Sequence, residues 1–256
     1  MLNVIILAAG YATRLYPLTE NFPKPLLKVA GKPIINYLLD SLRPLASEIG
    51  EVACVTNDKY ASTFESWQKE MSYPCPIRIV NDGTRTNEDR LGAVRDIHMG
   101  LDSFQKQADV MVLAGDNIFD FDLLSFYHNA KNHKGAVTLA CTDIKDRELA
   151  KQYGILELDA ENRIVKFHEK PKAPPSTLAS TGIYYFSQPA LTYFDQFLSE
   201  KSTSGDAPGF YIGWLVGRAP LYGEPLEGIW YDIGDLNSLK NADEIFKNVL
   251  KGDRKS

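Results

Sequence analysis

Two cations, Arg14 and Lys24, follow closely on one apolar run, and two carboxylates, Asp116 and Asp232, each stand just past another. Val4-Ile5-Ile6-Leu7 has the length and β-branched content of a buried strand, and Ala8-Ala9-Gly10 offers a tight turn at its carboxyl end. Backbone N–H groups of such a loop can face anionic oxygens, while Arg14 and Lys24 add the full positive charges that a triphosphate and a leaving pyrophosphate would need. Pro23 and Pro25 flank Lys24, which predicts stiff, extended backbone at Phe22 and Lys24. Asp116 follows Val110-Met111-Val112-Leu113-Ala114-Gly115, and Asp232 follows Trp230-Tyr231. Ligands gather at the carboxyl ends of strands in an open α/β sheet, and two carboxylates converging there suit a Mg²⁺ ion bridging phosphates. Taken singly, each residue has a plainer use. Asp116-Asn117 can cap a following helix, Asp232 can start a turn before Gly234, and a glycine after a first strand is common. Neither a G-x-x-x-x-G-K-[ST] nor a G-x-G-x-x-G loop is present.

The elements that must position these groups alternate in the first half. Strands are expected at 3–8, 52–56, 77–80 and 109–114, with helices from Pro33 to Leu39, Tyr60 to Met71 and Leu91 to Phe104. This is the pattern of a mainly parallel sheet covered by helices. Residues 81–90, NDGTRTNEDR, are the least regular stretch. Shorter strands at 136–141, 154–158, 163–168 and 181–186 then predict a mixed sheet with an antiparallel extension. From Leu236 to Leu250, a stripe of Leu236, Leu239, Ile245, Phe246, Val249 and Leu250 predicts a closing amphipathic helix with Asp235 as its N-cap. No repeat is found, and no hexapeptide pattern follows residue 235, so a β-helix domain is not expected.

With 256 residues, 44% hydrophobic and 24% charged, the chain is expected to form one large domain with a substantial core. A formal charge of −5 argues against nucleic acid as a partner while leaving room for a local basic pocket. Cys54, Cys75 and Cys141 form no C-x-x-C pair, which predicts neither a disulfide framework nor a zinc site; Cys54 and Cys141 read as core. No apolar run has the length of a membrane span, and the apolar start reads as a strand and not a leader, so a cytoplasmic location is expected.

Taken together, the opening string through Thr13-Arg14-Leu15 and Pro23-Lys24-Pro25-Leu26-Leu27, then GDNIF at 115–119 and WYDIG at 230–234, resembles the sugar-1-phosphate nucleotidylyltransferases, glucose-1-phosphate thymidylyltransferases in particular. Tyr153-Gly154-Ile155-Leu156-Glu157, Glu169-Lys170-Pro171 and Thr181-Gly182-Ile183-Tyr184 extend the likeness over nearly the whole chain. Ala12 stands in place of the family's second glycine, and a φ below zero is expected there. His168 replaces a common acidic residue, which bears on the identity of the sugar.

The resemblance implies a single α/β domain of 1–256, a mixed, mainly parallel central sheet with helices on both faces in the Rossmann-like nucleotide-diphospho-sugar transferase fold. Residues 1–120 would form the nucleotide half, 121–235 the sugar-phosphate half and 236–251 the closing helix. It implies Mg²⁺-dependent transfer of a nucleotidyl group to a sugar 1-phosphate, with Arg14, Lys24, Asp116, Lys170 and Asp232 as the catalytic set and Asp116 and Asp232 on the metal. Ala8, Ala9, Gly10, Thr13, Arg14, Asn81, Leu91 and Gly92 would bind the nucleotide. Asn117, Gly154, Glu169, Lys170 and Tyr184 would take the sugar phosphate. The donor favoured by the likeness is dTTP or UTP, with CTP and a phosphorylated alcohol or another sugar phosphate as the alternative and a non-catalytic sugar-nucleotide sensor as a remote one. Asn81 both donates and accepts, so it suits thymine or cytosine equally. The expected assembly is a small homo-oligomer.

Overall fold

The computed structural model describes residues 1–200 and 207–252, and of residues 248–252 only the backbone. The first half lays down β1 (Leu2–Leu7), the short pair β2 (Lys28–Val29) and β3 (Lys32–Pro33), α1 (Ile34–Leu42), β4 (Ile49–Thr56), α2 (Ala61–Glu70), β5 (Ile77–Asn81), α3 (Ala93–Ser103) and β6 (Asp109–Ala114). There follow β7 (Asn117–Phe119), α4 (Leu123–Asn132), β8 (Val137–Asp143), α5 (Arg147–Ala150), β9 (Gly154–Leu158), β10 (Ile164–Glu169) and β11 (Leu178–Phe186). The last elements are α6 (Thr192–Ser199), α7 (Pro208–Leu215), β12 (Leu221–Pro225), β13 (Trp230–Asp232) and α8 (Leu236–Gly252).

The main sheet runs β10-β9-β11-β6-β1-β4-β5, with β8 and β12 branching from β11. Hydrophobic alternation explains why helices cover both faces. Leu2, Val4 and Ile6 of β1 point into the core shared with Leu38 and Leu39 of α1, whereas Ile5 points the other way, to Val94 and Ile97 of α3. Both faces of β1 are therefore dry, as its uninterrupted apolar run requires. β4 and β6 flank β1 in parallel, so Leu7, Thr56 and Ala114 end at one edge of the sheet. β11 returns antiparallel to β6, which brings Thr181-Gly182 beside the end of β6.

Past Gly115 the chain leaves this sheet. β7 pairs instead with β13, residue 117 opposite 232, in a three-residue ribbon. The sequence showed apolar strands near both aspartates but not that the two would pair with each other. α4, α6, α7 and β12 were also not foreseen; α4 is short and capped by Asp122, whose Oδ1 accepts from the Leu124 and Ser125 N–H groups. Asp235 caps α8 as expected, its Oδ1 accepting from the Ser238 N–H at 2.8 Å. The expected apolar contributions of Val249 and Leu250 lie outside the described side chains. Cys54, Cys75 and Cys141 are all buried and free. No helix among the described residues is long and apolar enough to cross a membrane.

Gly115 is a packing requirement. Its N–H donates to the Leu7 carbonyl at 2.9 Å, and a Cβ on it would lie 2.4 Å from that same oxygen. Close approach is thus needed within the fold, to hold the ends of β1 and β6 together, and not for a ligand alone. Gly115→Ala is expected to cost about 1–3 kcal/mol by overpacking, read as a lower melting temperature; an unchanged transition would contradict this packing.

Candidate active site

Two clefts open on the edge where β1 and β6 end, and Arg14, Ala114, Asp116 and Pro208 line both. The first, about 380 Å³, runs from the loop after β1 toward α3 and the loop after β5. The second, about 240 Å³, lies over β9, the end of β10 and the Thr181-Gly182 segment of β11. A molecule in one can therefore meet a molecule in the other beside Asp116.

The loop of the first cleft is held from behind. The Ala8 N–H donates to the Val55 carbonyl at 2.8 Å, and Asn57 Nδ2 donates to the Ala9 carbonyl at 2.8 Å. Ala8, Ala9 and Gly10 line the cleft. Gly10 does not take a positive φ, and a Cβ there would meet nothing within 4 Å. The left-handed residue is Ala12, at φ 48°, which corrects the expectation of a negative φ. Its carbonyl accepts from the Leu15 N–H at 2.9 Å and from Thr19 Oγ1 at 2.8 Å. Those bonds hold alanine in a conformation that costs it about 1–2 kcal/mol. Thr13 is exposed and lies outside the cleft lining.

Lys24 opens a one-turn 3-10 segment, Lys24–Leu26, where extended backbone was expected ahead of Pro25. Its Nζ donates to Asp116 Oδ2 at 2.6 Å and to the Ile233 carbonyl at 2.9 Å, with the side chain only 12% exposed. The ribbon completes the arrangement, since the Ile233 N–H donates to the Asp116 carbonyl at 3.0 Å. Asp116 and Asp232 are thereby brought together from distant parts of the chain. Burial, and next the Asp116 charge, push the Asp232 carboxyl upward, against the pull of Lys24, Arg14 and Lys170. Among the described residues no group of three or more His, Cys, Asp or Glu could hold a metal ion. Two hard-oxygen carboxylates at the junction nevertheless fit Mg²⁺, which usually takes one or two protein carboxylates together with waters and phosphate oxygens.

The second cleft gathers Gly154, Glu169, Lys170, Asn117 and Tyr184. Glu169 is pressed against α7: a Cβ on Gly209 would fall 1.8 Å from Glu169 Oε2. Burial raises its carboxyl, with the Lys170 charge opposing. Lys170 takes a positive φ of 46°, its N–H donating to the Tyr153 carbonyl at 3.1 Å, and its side chain is 61% exposed with Nζ 4.0 Å from Glu169 Oε1. Gly154 was expected among the residues that take the sugar phosphate. It first lets the Phe167 ring cross it, since a Cβ would come within 2.3 Å of that ring. Tyr184 is buried, which pushes its hydroxyl up to about 12. Asn117 donates through Nδ2 to the Thr181 carbonyl at 3.3 Å, while its buried Oδ1 has no partner. His168 pairs with Glu157 at 2.8 Å and lines neither cleft.

Asn81 lies outside the first cleft. Its Nδ2 donates to Asp58 at 2.8 Å and its Oδ1 accepts from the Gly83 N–H at 2.9 Å, so both ends of the amide serve the loop. Leu91 is also outside the lining, whereas Gly92, at φ 87°, is part of it. The wall beyond the loop is built by Asp82, Asn87 and Arg90, within the stretch 81–93 to which the sequence assigns base discrimination, and by Asp96, which lies outside it. Asp96 carried a usable signal: three residues after Ala93 and four before Gly100, it falls on the helix face of buried Gly100 and borders buried Ile97.

Burial, and then Asp82, push the Asp96 carboxyl up to about 7. A folded-state value above the unfolded one means that stability is full below about pH 4 and is lost as pH rises through 7. Asp96→Asn removes that loss, about 2–4 kcal/mol. The variant should melt well above wild type at pH 8 and converge with it near pH 4; parallel melting profiles would refute the shift.

Residues 3–248 match the family model described as nucleotidyl transferase. The chain is 28% identical over 256 residues to the bifunctional protein GlmU of Methanococcus vannielii, a match covering 97% of this chain and 56% of that protein. It is 33% identical to a protein of Sulfolobus acidocaldarius provisionally described as a mannose-1-phosphate guanyltransferase, covering 91% and 60%. It is 30% identical to the glucose-1-phosphate adenylyltransferase of Fervidobacterium nodosum, covering 93% and 60%. The chain thus spans a little over half the length of these relatives. Its fold is shared with a Bacillus anthracis protein, provisionally described as a glucose-1-phosphate thymidylyltransferase and solved with sucrose, at a TM-score of 0.81, 22% identity and 96% coverage of each chain.

Proposed function

The chain belongs to the nucleotidyl transferase family, and we propose that it transfers a nucleotidyl group from a nucleoside triphosphate to a sugar 1-phosphate. The observation that carries this reading is the meeting of the two clefts at Arg14 and Asp116, with Lys24 and Asp232 alongside. The first cleft takes the triphosphate against Ala8, Ala9 and Gly10, with its α-phosphorus at the junction. The second takes the sugar, whose hydroxyls can donate to Glu169 and whose phosphate pairs with Lys170.

In the reaction a phosphate oxygen of the sugar 1-phosphate forms a bond to the α-phosphorus, the bond from that phosphorus to the bridging oxygen breaks, and pyrophosphate leaves with the electron pair. The attacking oxygen is already anionic at neutral pH, so no general base is required. Arg14 and Lys24 neutralise the leaving pyrophosphate, Lys24 exchanging part of its contact with Asp116 for phosphate oxygens. Asp116 and Asp232 would hold Mg²⁺, which when bound offsets phosphate charge. Positioning of the two substrates in line supplies much of the remaining rate.

The donor expected from the resemblance, dTTP or UTP, was never fixed by Asn81, which suits thymine or cytosine equally and whose amide is occupied by Asp58 and Gly83. The relatives matched above are named for guanyl as well as adenylyl transfer. Base identity must therefore be argued from the cleft wall.

Pyrophosphate release should require both a triphosphate and a sugar 1-phosphate. Asp116→Asn and Arg14→Ala should each lower turnover by about a hundredfold or more, the range seen when a charge-stabilising group is lost, with circular dichroism unchanged. Near-wild-type rates in either variant would refute the assignment.

A further inference from the structure

Asp96 is unlike every other carboxylate in the first cleft. It lies on the first turn of α3, is 7% exposed, and its Oδ1 is buried without a hydrogen-bond partner. Leaving a buried carboxylate oxygen unpaired is costly, and a protein tolerates this where a ligand supplies the missing partner. Asp82, the nearby carboxylate, differs: its Oδ1 is engaged by the N–H and hydroxyl of Thr84 at 2.7 and 2.8 Å. Nor is Asp96 a helix cap, since its own N–H already donates to the Gly92 carbonyl at 3.1 Å.

Its place in the sheet says which part of a nucleotide it meets. The loop after β1 and the end of β6 form the phosphate end of the cleft, and the sugar-phosphate cleft lies beyond β6 on the β11 side. Asp96 lies in the opposite direction, near Asp82 at the end of β5, the edge strand. A triphosphate with its α-phosphorus at Asp116 must extend its nucleoside toward that wall.

Resting on the transferase reading above, we propose that Asp96 is the base-reading residue of this site and that it selects a triphosphate whose base carries an amino group. A carboxylate oxygen only accepts, so it suits the N4 amino group of cytosine, the N6 of adenine or the N1 and N2 N–H groups of guanine. Uracil and thymine present two carbonyl oxygens around a single N–H, and one of those acceptors would face a carboxylate. Asp82, half-buried in the same wall, adds a second negative group that favours donors.

The test uses pairs of triphosphates that differ by the amino group: CTP against UTP, and GTP and ATP against inosine triphosphate. Binding to the full chain is measured calorimetrically at pH 8, and kcat/KM is measured in parallel with a sugar 1-phosphate. In the ring size the cleft accepts, the amino-bearing member should be favoured by about tenfold to a hundredfold, the span of one hydrogen bond to a charged group. Asp96→Asn, whose amide can both donate and accept, should bring that ratio near one while the variant stays folded. A wild-type preference for the keto member, or an Asp96→Asn variant that weakens all triphosphates by one factor and keeps the ratio, overturns the proposal; the latter is the signature of a structural residue. The two readings fail separately. Discrimination in binding without turnover for any pair removes the transferase reading and keeps the base assignment, whereas turnover with a ratio near one does the reverse.

Discussion

One ammonium group joins the parts of this site. Lys24 Nζ sits between Asp116 Oδ2 at 2.6 Å and the Ile233 carbonyl at 2.9 Å, linking the turn after β1 to the end of β6 and to the ribbon strand β13. Asp232 lies next to this contact, half-buried beside a second carboxylate, an arrangement that repels itself unless a cation is close. A partly buried charge pair need not add net stability, but removing one member leaves the other without its counter-charge. Lys24 thus lets two aspartates remain near one another before any ligand arrives. Triphosphate, carrying more negative charge than Asp116, can compete for the same ammonium.

Around that contact, backbone geometry is unusual on both sides of the junction. Ala12 at the mouth of one cleft and Lys170 in the other are both left-handed, and neither is a glycine. Each is held by hydrogen bonds from neighbouring segments, the Ala12 carbonyl by Leu15 and Thr19, the Lys170 N–H by Tyr153. Strain of this kind persists where the surroundings over-determine it, and it concentrates at ligand sites. Asp96 adds a third local cost, a buried acid without a donor, on the remaining wall. The apolar layers on the two faces of the sheet supply the stability that such departures draw on.

Much of this was legible in the sequence for a physical reason. β6 was expected at 109–114 and is Asp109–Ala114, because a central strand buried on both faces reads as an unbroken apolar run. Asp116 follows such a run, whereas Asp232 ends a half-buried three-residue ribbon strand with too little length to show a period, and that ribbon is what brings the two together. Ala12 misled because local preference was overridden by two bonds to its carbonyl, one of them from a residue seven positions on. Asn81 shows a different limit: an amide competent for base recognition is equally competent to pin its own loop, and its bonds to Asp58 and Gly83 do so. Asp96 escaped notice because an acid within an amphipathic helix reads as solvent-facing unless its place on the stripe is counted.

The central claim, that the two clefts bring a sugar phosphate to the α-phosphorus of a triphosphate at Asp116, is tested most directly by following label. With a triphosphate radiolabelled at the α-phosphorus and another at the γ-phosphorus, each incubated with a sugar 1-phosphate and the protein, the α-label should appear in a sugar nucleotide and the γ-label in pyrophosphate. Transfer of the γ-label to the sugar phosphate, or its release as inorganic phosphate with the α-label left in the nucleoside diphosphate, would contradict the account.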